Sequence, residues 1–192
     1  MLNMNIGDLL LSYQTDKNRG KTIEKNGHYY GDSYQRIFSN FDINSKLNIL
    51  EVGVQKGGSL LAWKDYFKNA NVVGIDIVDD RLNEYKRDDV SFILSDINNL
   101  DVKNNPLISG KLFDIIIDDG SHYLQDVIFF LENYIDQLNI NGYFIIEDVQ
   151  SPGYWDSVIS SKLKPGFEMS VDDLRYINGY YDDYLIIIKR IR

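Results

Sequence analysis

The sequence predicts an α/β fold, a mostly parallel sheet wound with helices on both faces and finished by an antiparallel hairpin. Three observations predict it. From residue 47 onward, short apolar runs alternate with longer amphipathic stretches, the pattern of βαβ units that bury a parallel sheet on both faces. Each run is rich in Ile, Val, Leu or Phe and stops at Gly, Asp or Glu. The last two runs flank Asn178-Gly179-Tyr180-Tyr181-Asp182-Asp183, a polar interval of the kind that joins antiparallel strands.

Five parallel strands are expected at 47–54, 71–77, 90–95, 112–118 and 142–147, followed by hairpin strands at 168–177 and 184–191. Crossover helices are expected at 59–67 and 123–138, the second from Val127, Phe130, Leu131, Tyr134, Ile135 and Leu138 at helical spacing. The intervals 80–86 and 97–108 leave room for one brief helix each, with Asn104-Asn105-Pro106 reading as a loop. Residues 1–46 lack the alternation and read as a helical cap or lid on a main domain at 47–192. With 192 residues, 44% apolar and 13% aromatic, the two parts are expected to share one compact unit.

Composition narrows the function. A formal charge of −9 without a basic stripe argues against nucleic acid as a partner. No run of eighteen apolar residues occurs, and the first residues lack a basic and then apolar leader, so a soluble, cytoplasmic protein without a membrane partner is expected. With no cysteine and only His28 and His122, any metal would be held by oxygen.

The first strand runs through Glu51-Val52-Gly53-Val54-Gln55-Lys56-Gly57-Gly58-Ser59 into a helix. Glycines at 53, 57 and 58 permit a tight turn, and the helix that opens at Ser59 offers unpaired N–H groups to a carboxylate or phosphate. The spacing is not the dinucleotide pattern. Asp76 ends the second strand about 20 residues after Gly53, where an acid accepts ribose hydroxyls. Asp96 ends the third, within reach of an adenine amine. An unmodified ribose and a free carboxylate point to S-adenosylmethionine on a Rossmann-like doubly wound sheet, with Gly53, Gly57, Gly58, Ser59, Asp76 and Asp96 as its site.

The fourth strand ends Asp118-Asp119-Gly120-Ser121-His122 and the fifth ends Glu147-Asp148. Like charges packed at neighbouring strand ends need protonation or a cation. Oxygen ligands without thiols favour Mg²⁺ or a similar ion on Asp119, Glu147 and Asp148. Asp118 alternates to the other side, toward the cofactor. An imidazole at His122, three residues after Asp119, suits a general base. The plainer alternative is that His122 caps the following helix and Asp119 is a turn residue.

Together Thr15-Asp16-Lys17, His28-x-Tyr30-x-x-x-Tyr34, Glu51-x-Gly53, Gly57-Gly58-Ser59, Gly74-Ile75-Asp76, Asp118-Asp119-Gly120-Ser121-His122 and Ile146-Glu147-Asp148 resemble the metal-dependent sugar O-methyltransferases of macrolide tailoring, the mycinamicin and demethylmacrocin enzymes. Gln14 stands where that family often has glycine. The resemblance implies a class I methyltransferase fold, Mg²⁺ on Asp119, Glu147 and Asp148, His122 as base, and S-adenosylmethionine held by Gly53, Asp76 and Asp96. It also implies a sugar, glycan or small glycoside as acceptor and leaves a homo-oligomer open. Two other readings are a catechol-type O-methyltransferase and a hydroxylase-like or non-catalytic relative that keeps the fold.

Overall fold

Seven strands form in the computed structural model, which describes residues 5–21 and 27–192. They are β1 (Asn48–Val52), β2 (Asn71–Asp76), β3 (Val90–Leu94), β4 (Phe113–Asp118), β5 (Leu138–Ile146), β6 (Phe167–Asp173) and β7 (Tyr184–Arg190). One sheet results, in the order β3-β2-β1-β4-β5-β7-β6. β1 to β5 are parallel, and β7 runs antiparallel to β5 on one side and β6 on the other. β7 is buried from Tyr184 to Ile188, so it takes the inner place, while the half-exposed β6 forms the edge.

Strand alternation divides the interior into two layers. Ile49, Ile115, Ile117, Ile145 and Ile187 face α1 (Ile6–Ser12), α2 (Gly31–Phe38) and α3 (Gly58–Tyr66). Leu50, Ile116, Phe144, Ile146 and Ile186 face α4 (Leu124–Tyr134) and α5 (Tyr154–Lys162). The same alternation governs the acids. Glu51 falls on the α1–α3 side, whereas Asp118 shares the parity of Ile116.

The N-terminal helices are built into the first layer, where Tyr34 and Phe38 pack on Trp63 at ring separations of 4.7 and 5.3 Å. Between α1 and α2 runs a 3-10 segment, Asp16–Lys21. It is wedged there by Asn18, whose buried amide donates to Gly7 O at 2.8 Å. A Cβ on Gly31 would lie 2.7 Å from that amide, so glycine allows the approach. This wedge fixes Lys17.

Several elements differ from the sequence reading. β5 begins at Leu138 rather than 142, because a register shift between Phe113 and Ile115 absorbs its polar start, Asn139 to Asn141. The preceding helix accordingly stops at Tyr134, and Ile135–Gln137 is a 3-10 turn. The brief helices at 80–86 and 97–108 are 3-10 turns, Asn83–Tyr85 and Leu100–Asn104. α5 was not anticipated, since only Trp155 and Ile159 of its nine residues are buried. β6 ends at Asp173, and a single turn, α6 (Arg175–Asn178), joins it to β7. Among the described residues, no helix is long and apolar enough to cross a membrane.

Candidate functional site

The carboxyl ends of β1, β2 and β4 open onto a cavity of about 420 Å³, closed on one side by Tyr13 to Lys17. Open α/β sheets bind ligands at this end. Gly53, Gly58, Ser59, Asp76, Asp96 and Asp118 all line it, and Asp119, His122 and Asp148 lie on the same wall. Gly57 and Glu147 do not.

Each glycine answers to a contact within the protein. Gly53 has φ +84°, and a Cβ there would sit 1.8 Å from the Asp119 carbonyl oxygen. Gly57, at φ +89°, is the turn residue before α3. A Cβ on Gly58 would meet Tyr13 O at 2.4 Å, so this glycine lets the N-terminal segment reach the cavity. Ser59 donates its hydroxyl to Glu51 Oε2 at 2.9 Å, leaving backbone groups to face the cavity. Asp76 Oδ2 accepts from Val54 N and Gln55 N at 2.7 and 3.0 Å, and its Oδ1 from Val78 N at 3.2 Å. Asp76 therefore braces the glycine turn and retains free lone pairs. Asp96 is exposed and accepts from Asn98 N at 2.9 Å.

Four non-glycine residues on the cavity wall are left-handed: Gln14 (φ 54°), Gln55 (47°), His122 (55°) and Asp148 (53°). Such strain persists where surrounding structure enforces it, and it concentrates at functional sites. Gln14 occupies a conformation that suits the glycine often found there in the family it resembles.

The acidic end is organised by residues far away in sequence. Lys17 is buried, with Nζ 2.6 Å from Asp119 Oδ2, 2.8 Å from Glu147 Oε2 and 3.3 Å from Glu51 Oε1. Tyr34 donates to the other oxygen of Glu147, and Trp63 Nε1 donates to Glu51 Oε2 at 2.8 Å. Tyr30 donates to Asp148 Oδ1 at 2.6 Å. His28 stacks on Tyr30 and bridges Asp148 to the buried Asp183, 3.4 Å from each. Burial lowers the His28 pKa, but the Asp183 hydrogen bond and the surrounding acids outweigh it and lift it to about 9. Burial raises Glu147 to about 7 against the pull of Lys17, and raises Asp119 as well.

Ligating atoms of Asp119, His122 and Asp148 lie within 4.8 Å of one another. The two carboxylates are hard oxygen donors, so this set fits a divalent cation. Glu147, part of the sequence-predicted set, shares Lys17 with Asp119 and has its other oxygen on Tyr34. His122 is 29% exposed with Nε2 3.8 Å from Asp148 Oδ2. The residue that caps α4 is Tyr123, without a side-chain bond, so the capping explanation of His122 fails. Lys17, His28, Tyr30 and Tyr34 were not assigned site roles from sequence. Their only local signal was the Thr-Asp-Lys run and the four-residue spacing of the tyrosines.

Asp118 is buried, lines the cavity, and its Oδ2 has no partner. Burial pushes its carboxyl up to about 7, with Asp126 adding to the rise and the Gly120 N–H opposing it. A raised folded-state pKa leaves stability intact below the ordinary 3.8 and removes it as pH climbs through about 7. Asp118→Asn is therefore expected to raise the melting temperature in EDTA without added ligand, by several degrees at pH 8 and little at pH 4. Equal gains at both values would mean that the buried charge is not the cause.

A parallel sheet with β7 reversed between β5 and β6, and a cavity over the glycine turn, defines the class I methyltransferase fold. The family model described as a methyltransferase domain matches residues 43–182, and the chain belongs to that family. It is 29% identical over 153 residues to the 8-demethyl-8-alpha-L-rhamnosyl tetracenomycin-C 2'-O-methyltransferase of Streptomyces olivaceus, covering 76% of this chain and 37% of that protein. It is 30% identical over 135 residues to the mycinamicin VI 2''-O-methyltransferase of Micromonospora griseorubida, covering 67% and 33%. The chain thus spans about a third of the length of these curated relatives. Among solved structures, the MycE methyltransferase of the mycinamycin pathway, in complex with Mg, SAH and mycinamycin VI, matches with TM-score 0.75 and 21% identity over 98% of this chain and 55% of that one. The Methanococcus jannaschii fibrillarin pre-rRNA processing protein matches at 0.58 and 18%, over 78% and 68%. These structural likenesses establish the fold.

Proposed function

We propose that the chain is an S-adenosylmethionine-dependent O-methyltransferase that uses Mg²⁺ or a similar cation and methylates a hydroxyl of a sugar, glycan or small glycoside. The observation that carries this reading is one wall that joins a cofactor-sized, acid-lined cavity to the Asp119–His122–Asp148 group. The unpartnered, buried Oδ2 of Asp118 fits the amino group of the methionine moiety. Asp76 takes the ribose hydroxyls, Asp96 the adenine amine, and Gly53, Gly58 and Ser59 face the ligand with backbone atoms. Gly57 shapes the turn.

Asp119 and Asp148 would hold the divalent ion, which supplies Lewis acidity that lowers the pKa of an acceptor hydroxyl. His122 Nε2 accepts that hydroxyl's proton. Tyr30 and His28 hold Asp148, and Lys17 holds Asp119, so the groups facing the acceptor are ordered before it arrives. The stretch from Tyr13 to Lys17 closes the cavity on one side and keeps water out. The sugar O-methyltransferase activity of the named relatives supports the choice of acceptor class.

Calorimetry with S-adenosylmethionine tests the reading. The native chain is expected to bind, and Asp76→Asn to bind at least tenfold more weakly through loss of charge-assisted bonds. Asp119→Asn is expected to retain the cofactor and lose Mg²⁺. No binding by the native chain would end the methyltransferase reading. If a product screen finds S-adenosylhomocysteine formed faster from catechols than from any glycoside, the acceptor is phenolic.

A further inference from the structure

We propose that the acceptor is a neutral sugar whose ring stacks on exposed tyrosines beside the carboxyl end of β5, with Tyr154 and Tyr181 as its platform. This rests on the methyltransferase reading for the sugar's role as acceptor, and adds where the sugar lies and which charge it carries. Among the described residues four tyrosines are exposed, Tyr123, Tyr154, Tyr176 and Tyr181, each at 61% or more. All four stand at one edge of the sheet. Tyr123 lies between β4 and α4, Tyr154 opens α5 after β5, and Tyr176 and Tyr181 belong to the connection from β6 to β7. Because β7 runs antiparallel to β5, with Ile186 beside Ile146, that connection comes to the carboxyl end of β5. Two contacts fix it there. Tyr181 donates to Gln150 Oε1 at 3.2 Å, and the Tyr30 hydroxyl that bonds Asp148 lies 3.2 Å from Asp182 O.

The cavity assigned to the methyl donor ends at this edge. Asp148 lines it, and no described residue from 149 to 183 does. An acceptor hydroxyl must reach His122 and Asp148 from outside the donor's cavity, and the surface that continues past Asp148 is the one that carries the tyrosines. Exposed rings clustered beside reacting groups suit a sugar, whose C–H faces stack on aromatics while its hydroxyls stay hydrated. Charge selects among sugars. Residues 147–156 and 172–183 carry seven acids and a single cation, Arg175, whose guanidinium is engaged by Asp173 at 2.7 and 2.8 Å. A uronic acid or a nucleotide sugar is repelled by that surface, whereas a neutral glycoside is not.

Saturation-transfer NMR on the full chain in Mg²⁺ buffer, with and without S-adenosylhomocysteine, tests this. The probes are methyl β-D-glucopyranoside, methyl α-L-rhamnopyranoside and methyl β-D-glucuronide. The native chain is expected to bind at least one of the two neutral glycosides, and the glucuronide about tenfold or more weakly than that one. Tyr154→Ala and Tyr181→Ala are each expected to weaken the neutral glycoside about fivefold or more. Tyr181→Phe keeps the ring and loses only the bond to Gln150, so its affinity is expected to stay within about twofold of native. The control is Ile140→Ala, an exposed residue near the opposite end of β5, with the same expectation.

Failure of the native chain to bind either neutral glycoside overturns the proposal, as does unchanged affinity in either alanine variant. Equal losses in Tyr181→Phe and Tyr181→Ala also overturn it, because the Gln150 bond rather than the ring would then be the cause. A change of elution size in the alanine variants means that a second copy covers these tyrosines, and the sugar assignment falls. Failure of the methyltransferase reading shows separately, as absence of S-adenosylmethionine binding by the native chain, which does not enter the cofactor-free titration.

Discussion

Gly53→Ala is expected to cost about 4 kcal/mol or more, enough to leave much of a marginally stable domain unfolded. A Cβ at this position would lie 1.8 Å from Asp119 O and 2.4 Å from its carbonyl carbon. Neither atom can retreat cheaply. Asp119 N donates to Val52 O at 2.8 Å and Glu147 N to Asp118 O at 2.9 Å, so the contact sits where three strand ends are tied together. Moving Asp119 would also draw its carboxylate off Lys17. The control is Gly110→Ala, because Gly110 shares a positive φ of +67° but has open space around it. Left-handed strain alone costs about 1 kcal/mol. Urea unfolding of both variants separates the two causes, and similar losses would mean that the close approach at Gly53 is relieved by a small shift.

That contact shows why the sequence was more readable in some places than in others. The glycine at 53 was visible as a turn before a helix, and the acids at 118, 119, 147 and 148 were visible as strand ends, because both are local patterns. What Gly53 makes room for was not visible: the partner is the backbone of Asp119, 66 residues on. The assembly of Lys17, Tyr30 and Tyr34 on the acids was hidden for the same reason, since each contact spans more than 100 residues. Alternation along β4 placed Asp118 on the opposite side from Asp119, and the geometry agrees, with Asp119 on Lys17 and Asp118 buried without it. α5 escaped because a polar, serine-containing helix with two buried residues has almost no periodic signal. The early start of β5 escaped because Asn139 to Asn141 read as a loop until β4 supplies a register that tolerates them.

His122→Asn is expected to lower kcat by about 10² to 10⁴ while leaving S-adenosylmethionine affinity unchanged within about threefold. Asparagine is the informative replacement. His122 has φ 55°, and asparagine tolerates the left-handed region far better than most residues, so loss of the base is not confused with loss of the loop. The ring is 29% exposed, lines the cavity and does not cap α4, which supports the proposed role as base. Two roles compete, because the ring also lies close enough to Asp119 and Asp148 to be a third ligand. Hard cations of the Mg²⁺ type prefer oxygen, which favours the base. The measurement is S-adenosylhomocysteine formation from the glycoside that the native chain turns over fastest, with and without added imidazole, beside calorimetric titration of Mn²⁺. Imidazole rescue with Mn²⁺ affinity preserved assigns His122 to proton removal. A tenfold or greater loss of Mn²⁺ affinity without rescue would make the ring a ligand, and the hydroxyl's proton would then have to leave to another acceptor on the same wall.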